Sequence, residues 1–136
     1  MFSCAMGDAH TLKYRIRIER KSEIVNAAAD SAIAIVLTTI GADADAASLA
    51  RTLVEERLAA CVNVLPPMTS FYRWKGAIEE DREQQLVIKT TPARTAALAA
   101  RLSELHPYEL PEFVVLDATA SMAYAAWVGE AVAPST

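Results

Sequence analysis

Hydrophobic and polar positions follow patterns along the main body of the chain that separate strands from helices. The run AIAIVLTTI, residues 32–40, is continuously apolar and β-branched, which is typical of a strand buried on both faces. Between Ala46 and Cys61, apolar residues recur every three or four positions. This spacing predicts an amphipathic helix with Cys61 on its buried side, capped by Asp43 or Asp45.

Residues 61–90 predict two strands joined by a reversing turn. Pro66 and the proline after it cannot lie in a central ladder, so they indicate a bulge or an edge. Gly76 tolerates the positive φ that a tight turn needs. We expect EEDRE, residues 79–83, to be a solvated charge cluster, after which QQLVIKT resumes as a strand.

A second helix is predicted from Thr91-Pro92 to His106, because proline suits the first turn of a helix and Pro107 disfavours helical geometry at the residue before it. FVVLDAT, residues 113–119, is predicted to be another buried strand, and SMAYAAWVGEAV a final short helix. The order strand–helix–strand–strand–helix–strand is that of an α+β, ferredoxin-like split βαβ sandwich, an antiparallel sheet with helices on one face.

Two parts of the chain are distinguished on this basis. Residues 31–136 form the predicted domain, and residues 1–30 form an N-terminal extension whose role the sequence does not disclose. Within the extension, residues 12–18 alternate apolar and basic side chains, which predicts a strand rather than an amphipathic helix.

Composition narrows the class of protein. Of 136 residues, 53% are hydrophobic and 22% are charged, as in a globular domain. The net charge is −4 and the basic residues are scattered, so nucleic-acid binding is not expected. The apolar runs are too short to cross a bilayer, so no membrane partner is expected. Two distant cysteines outside any CxxC pattern fit a reducing, cytoplasmic environment.

Signatures of catalysis are missing from the sequence. It contains no GxSxG, HExxH, Walker or GxGxxG motif, and Cys61 with His106 is the one cysteine–histidine pair in the predicted domain. A thiol on the buried stripe of a helix is usually inert. We therefore expect a non-enzymatic protein with no catalytic residues and no required cofactor. An enzyme using Cys61 or His106 is the weaker alternative.

The segment HPYELPE contains the candidate metal ligands. His106 and Glu112 offer an imidazole and a carboxylate that the prolines could hold in place, although a histidine at a helix C-terminus also suits the helix dipole without any ligand. Upstream, Tyr72 and Trp74 alternate onto one face of the predicted two-stranded ribbon. A ribbon cannot bury aromatic residues on its own, so these predict contact with another subunit.

The blocks LVEERLAACVNVLPPMTSFYRWKGAIEEDREQQLVIKT and HPYELPE, followed by a late Tyr…Trp helix, resemble the CutA divalent-cation-tolerance family over residues 32–132. The resemblance implies a ferredoxin-like homotrimer that responds to divalent metal cations. It also implies copper binding, through a cysteine, a histidine and a glutamate in some members. Those positions are Thr38, Leu105 and Glu112 here, so weak binding of copper or another divalent cation through His106 and Glu112 is expected.

The same family resembles the nitrogen-regulatory signalling trimers in architecture, and those bind small effectors between subunits. This resemblance gives the alternative function, a small-molecule sensor or scaffold. Its inter-subunit cleft would be lined by Tyr72, Trp74, Lys89, Tyr108 and Trp127, together with the candidate metal pair.

Overall fold

The computed structural model describes residues 31–135, so the predicted N-terminal extension and its strand lie outside the described residues. The elements are, in chain order, β1 (Ala32–Gly41), α1 (Ala46–Glu55), β2 (Cys61–Val64), β3 (Met68–Trp74), β4 (Ala77–Thr90), α2 (Thr95–Leu105), β5 (Val114–Thr119) and α3 (Met122–Ala131), with a 3-10 turn at Pro92–Arg94 before α2. Among residues 31–135, no helix combines the length and hydropathy needed to span a membrane.

A single antiparallel sheet organises the fold. Its strand order is β2-β4-β1-β5, and β3 continues the β2 edge by pairing with the first half of β4. This is the order of the split βαβ arrangement that the sequence predicted. Strand β1 pairs with β4 from Ala34↔Thr90 to Gly41↔Glu83, so the earlier part of β4 and all of β3 extend past β1 as a two-stranded ribbon.

The sheet is covered differently on its two faces. Val36 and Ile88 belong to a core cluster that Leu53 of α1 and Leu98 of α2 complete. Because side chains alternate along a strand, Ile33 points to the opposite face, where α3 packs against it. The final helix thus covers part of the face that α1 and α2 leave open.

Helix α1 ends earlier than its apolar spacing predicted, so the placement of Cys61 on that helix is wrong. Arg57 adopts φ 59°, and the Leu58 N–H donates to the Leu53 carbonyl at 3.0 Å, which closes the helix in a left-handed turn. Cys61 instead begins β2, opposite Lys89. No glycine announces this helix end, which is why the sequence did not reveal it.

Two further strand predictions need correction. EEDRE is not an interruption but part of β4, because residues 79–83 pair with β3 and cross-strand pairing outweighs the poor strand propensity of acidic residues. Strand β5 is not buried in the single chain. Val114, Val115 and Leu116 are 42%, 43% and 46% exposed, because β5 is the edge strand beyond the reach of α1 and α2.

Candidate functional site

A cleft of about 780 Å³ lies between the β3–β4 ribbon and the loop that follows α2. Its volume falls within the roughly 300–1,000 Å³ of typical small-molecule sites. The walls combine aromatic, acidic and small polar side chains, namely Thr39, Met68, Ser70, Phe71, Tyr72, Trp74, Asp81, Glu83, Gln85, Tyr108, Glu109, Leu110, Pro111 and Glu112. The loop contributes residues 108–112 and the ribbon most of the rest.

The ribbon places an aromatic–carboxylate pair on the cleft side. Tyr72 is opposite Glu79 in the register, and its hydroxyl donates a hydrogen bond to Asp81 across the strands. This hydrogen bond, together with desolvation and the nearby negative charge, raises the pKa of Tyr72 to about 12. Trp74 follows two residues later on the same face, so the two aromatic side chains share one wall, as predicted.

His106 anchors the loop wall to the sheet. The side chain is 7% exposed, its Nδ1 accepts from the Tyr108 N–H at 3.1 Å, and its Nε2 lies 2.6 Å from the Thr39 carbonyl oxygen. Because Nδ1 accepts from Tyr108, Nε2 is the ring nitrogen that donates to the Thr39 carbonyl oxygen. Both ring nitrogens are therefore occupied by the protein's own backbone.

A second phenol–carboxylate pair lies deeper in the cleft. The Tyr108 hydroxyl donates to Glu83 Oε2 at 2.7 Å, and Glu83 is only 6% exposed. Partial burial and then the Glu83 carboxylate raise the pKa of Tyr108 above its ordinary value. The phenol therefore remains a hydrogen-bond donor throughout the physiological pH range.

Gln85 positions the last carboxylate. Its side-chain Nε2 donates to the Thr38 carbonyl oxygen at 2.7 Å and to Glu112 Oε2 at 2.9 Å. The amide thus ties the end of the loop to β1. Glu112 points one carboxylate oxygen at Gln85, and its other oxygen has no partner among residues 31–135.

The cleft is acidic. Asp81, Glu83, Glu109 and Glu112 line it, and none of the lining residues is a lysine or an arginine. In the described part of the chain the carboxylates do not converge, since no three His, Cys, Asp or Glu side chains come together as a metal-holding group. The arrangement offers separated negative charges and aromatic faces rather than a preformed coordination sphere.

The predicted site residues fall into two groups. Tyr72, Trp74, Tyr108 and Glu112 line the cleft, with His106 behind its wall. The other two are elsewhere in the chain and not among the lining residues. Lys89 Nζ donates to Asn63 Oδ1 at 2.6 Å. Trp127 of α3 packs with the Ile33 cluster, its ring 5.5 Å from that of Tyr124.

Sequence reasoning missed the acidic lining. Asp81, Glu83 and Gln85 alternate along β4 and so face the cleft together. The signal was present as a period of two within EEDREQQ, but reading that segment as a solvated cluster concealed it.

Thr38 and Leu105, which occupy the positions of the cysteine and histidine copper ligands in some members of the resembling family, have no metal-binding surroundings in the part of the chain that the structure describes. Thr38 is fully buried and its hydroxyl has no hydrogen-bond partner, while Leu105 packs against the core formed with Val36. The alternative of a catalytic Cys61–His106 pair is not supported by the positions of the two residues in the sheet. Cys61 is paired with Lys89 of β4, whereas His106 is hydrogen-bonded to Thr39, which is paired with Gln85 of β4. Lys89 and Gln85 are four residues apart, or about 13 Å along the strand.

The chain is thus an α+β protein with a ferredoxin-like antiparallel sheet and an acidic, aromatic-walled groove. The family model described as CutA1 divalent ion tolerance protein matches residues 34–131. This protein therefore belongs to the CutA1 divalent ion tolerance family, as the resemblance predicted.

Individual relatives agree with the family model. The divalent-cation tolerance protein CutA of Thermus thermophilus is 45% identical over 97 residues, which are 71% of this chain and 94% of that protein. A CutA homologue of Xenopus laevis is 46% identical over 91 residues, 66% of this chain but 60% of that longer protein. The apo structure of a PII-like CutA protein from Nostoc sp. PCC 7120 superposes with a TM-score of 0.69 at 37% identity, covering 73% of this chain and 96% of that one.

Proposed function

We propose that this protein acts in divalent-cation tolerance as a non-enzymatic homotrimer whose binding site for cations is the acidic cleft. One observation carries the proposal. Asp81, Glu83 and Glu112 line the cleft, and none of them forms an ion pair with a lysine or arginine of residues 31–135. Carboxylates that lack an internal counter-charge attract a cation from solution.

The expected metal binding is weak and carboxylate-based. A hard cation such as Mg²⁺ keeps several waters and is usually held by only one or two protein carboxylates. A soft copper site would require sulfur or imidazole ligands, and Thr38 and Leu105 supply neither. Of the predicted pair, Glu112 has a free carboxylate oxygen, whereas His106 would have to break two hydrogen bonds to bind a metal. The metal contact that we propose is therefore Glu112.

Calorimetric titration with Cu²⁺, and separately with Mg²⁺, tests the metal contact. We expect weak binding that Glu112→Ala reduces by at least about tenfold, since contacts to charged groups contribute about 1.5–3 kcal/mol and about 1.4 kcal/mol is tenfold in affinity. Glu104→Ala is the matched control, because Glu104 lies on α2, its side chain is 67% exposed, and it does not line the cleft. Equal affinity for the Glu112 and Glu104 variants would refute this contact.

The trimer is supported by the exposure of β5. Val114, Val115 and Leu116 present apolar side chains on both faces of an edge strand, and its outer edge has no strand partner in the described chain. A closed ring of three subunits would cover both the faces and the edges. Sedimentation at micromolar concentration should give three times the 14.7 kDa of one chain. A species with the mass of one chain would contradict the trimer. We also propose that the protein is cytoplasmic, and fractionation of cells should recover it in the cytoplasmic fraction.

A small-molecule sensor is the second candidate function, and a specific observation favours it. The cleft has the volume of a small-molecule site and carries aromatic walls at Tyr72, Trp74 and Tyr108 that a bare metal ion does not need. The relative from Nostoc is described as PII-like, which fits a signalling protein. Thermal-shift screening should find a ligand whose effect is lost in Trp74→Ala, and a panel without any response would weigh against the sensor.

A further inference from the structure

An ammonium group already lies at the rim of the cleft. Lys75, at the ribbon turn, places its Nζ 5.6 Å from the centre of the Trp74 ring and 3.7 Å from Glu109 Oε1. The first distance is within the range of a cation–π contact, and the second within that of an ion pair. An aromatic face beside a carboxylate is the combination that recognises an organic cation.

A phenol beside a carboxylate occurs twice inside the cleft, and no lysine or arginine of residues 31–135 is among the lining residues. The Tyr72 hydroxyl donates a hydrogen bond to Asp81, and the Tyr108 hydroxyl donates one to Glu83. Neither carboxylate has a lysine or arginine within ion-pair distance among residues 31–135. Glu83 is 6% exposed, so its charge is largely removed from water and gains most from a bound cation.

The spacing of these carboxylates decides what kind of cation fits. Asp81 and Glu83 are two residues apart on one face of β4, so their backbone positions are about 7 Å apart. Each carboxylate accepts a hydrogen bond from a different phenol, Asp81 from Tyr72 and Glu83 from Tyr108, so the two charges are offered as separate points along the cleft. No metal-holding group forms among the described residues. A short flexible chain with a positive charge at each end can reach both.

We propose that the cleft binds a small aliphatic diammonium compound, with one ammonium at Glu83, the other at Asp81, and the methylene chain between Tyr72 and Tyr108. The proposal rests on the cleft being the binding site, as in the proposed function, and specifies an organic dication as its ligand. Met68 and Leu110 supply apolar lining for the methylenes. The donors of the two ammonium groups would meet carboxylate oxygens that the phenols already orient.

Calorimetric titration with 1,4-diaminobutane at neutral pH and low salt tests the proposal. Butylamine and 1,4-butanediol are the matched ligands, since one keeps a single charge and the other keeps the length without charge. The diamine is expected to bind about tenfold more tightly than the monoamine, and the diol not measurably. A diol that binds as well as the diamine, or a diamine that does not bind, would overturn the proposal.

Two variants locate the charges. Asp81→Asn keeps an acceptor for the Tyr72 hydroxyl but removes the charge, and it should weaken the diamine about tenfold while changing butylamine much less. Glu80→Gln removes the same charge from the neighbouring position, which is exposed and points to the other face of the ribbon. Equal weakening by both variants would indicate long-range attraction only and would reject the assigned contacts.

The outcome is separable from that of the metal titration. If the protein binds metal through Glu112 but does not bind the diamine, the diammonium ligand is rejected and the proposal that the cleft binds cations is kept. The reverse result would support the organic cation and remove the metal contact. If Asp81→Asn folds poorly, the comparison of diamine with diol on the unchanged protein still decides the question.

Discussion

Replacement of His106 tests whether the imidazole is an architectural group rather than a metal ligand. In the folded chain it links the loop to β1 through one donated and one accepted hydrogen bond, at 2.6 Å to Thr39 and 3.1 Å from Tyr108. His106→Ala would remove both bonds and leave the buried Thr39 carbonyl and the partly buried Tyr108 N–H without these partners. At about 1–3 kcal/mol for the buried Thr39 carbonyl left unsatisfied and about 1 kcal/mol for the bond to the partly buried Tyr108 N–H, we expect a loss of about 2–4 kcal/mol.

Urea unfolding followed by far-ultraviolet circular dichroism measures this loss. Protein concentration must be held constant, because association of subunits contributes to apparent stability. Glu109→Ala, an exposed position on the same loop, should cost less than about 1 kcal/mol, since its ion pair with Lys75 lies on the surface. The architectural role would be refuted by a His106→Ala protein that unfolds within 1 kcal/mol of the original while its affinity for Cu²⁺ falls.

Two further predictions concern single groups. Hydrogen bonding to Asp81 raises the folded-state pKa of Tyr72 from 10.0 to about 12, so this stabilising effect is complete below pH 10 and is lost as pH rises through about 12. The phenolate absorbance of the original protein and of Tyr72→Phe is measured as a function of pH. The difference between the two curves should show one group titrating near pH 12, and a difference centred near pH 10 would contradict this. The Thr38 hydroxyl is buried without a partner, so Thr38→Val should raise the free energy of unfolding by about 1 kcal/mol. In thermal unfolding, the exposed control Thr69→Val should change little, and a destabilised Thr38→Val would show that the hydroxyl has a partner.

The sequence was sufficient to predict the order of elements because each buried segment has a distinct period. Residues 32–37 are apolar throughout, and a strand is found there with both faces covered near its start. The end of α1 was not predictable in the same way. Arg57 adopts a left-handed conformation that glycine or asparagine would have announced, and the apolar spacing continues past it as far as Cys61.

The candidate site was predicted only where residue chemistry was conspicuous. Aromatic residues such as Tyr72 and Trp74 stood out against the rest of the chain and do line the cleft. Lys89 and Trp127 were assigned to a cleft between subunits, and the single chain places neither of them in this one. The acidic residues were missed because strand formation at residues 79–83 depends on pairing with β3, a long-range contact that local propensity does not report.

Strand β4 connects the stability of this protein to its cleft. Leu86 and Ile88, in its second half, are fully buried in the core beneath α1 and α2. Asp81 and Glu83, in its first half, face the cleft. Because one continuous strand carries both sets, the core fixes the register that brings the carboxylates onto one face. A shift of one residue in that register would turn Asp81 and Glu83 away from Tyr72 and Tyr108 and would also expose the core positions. The geometry of the site is therefore maintained by the same apolar packing that folds the domain.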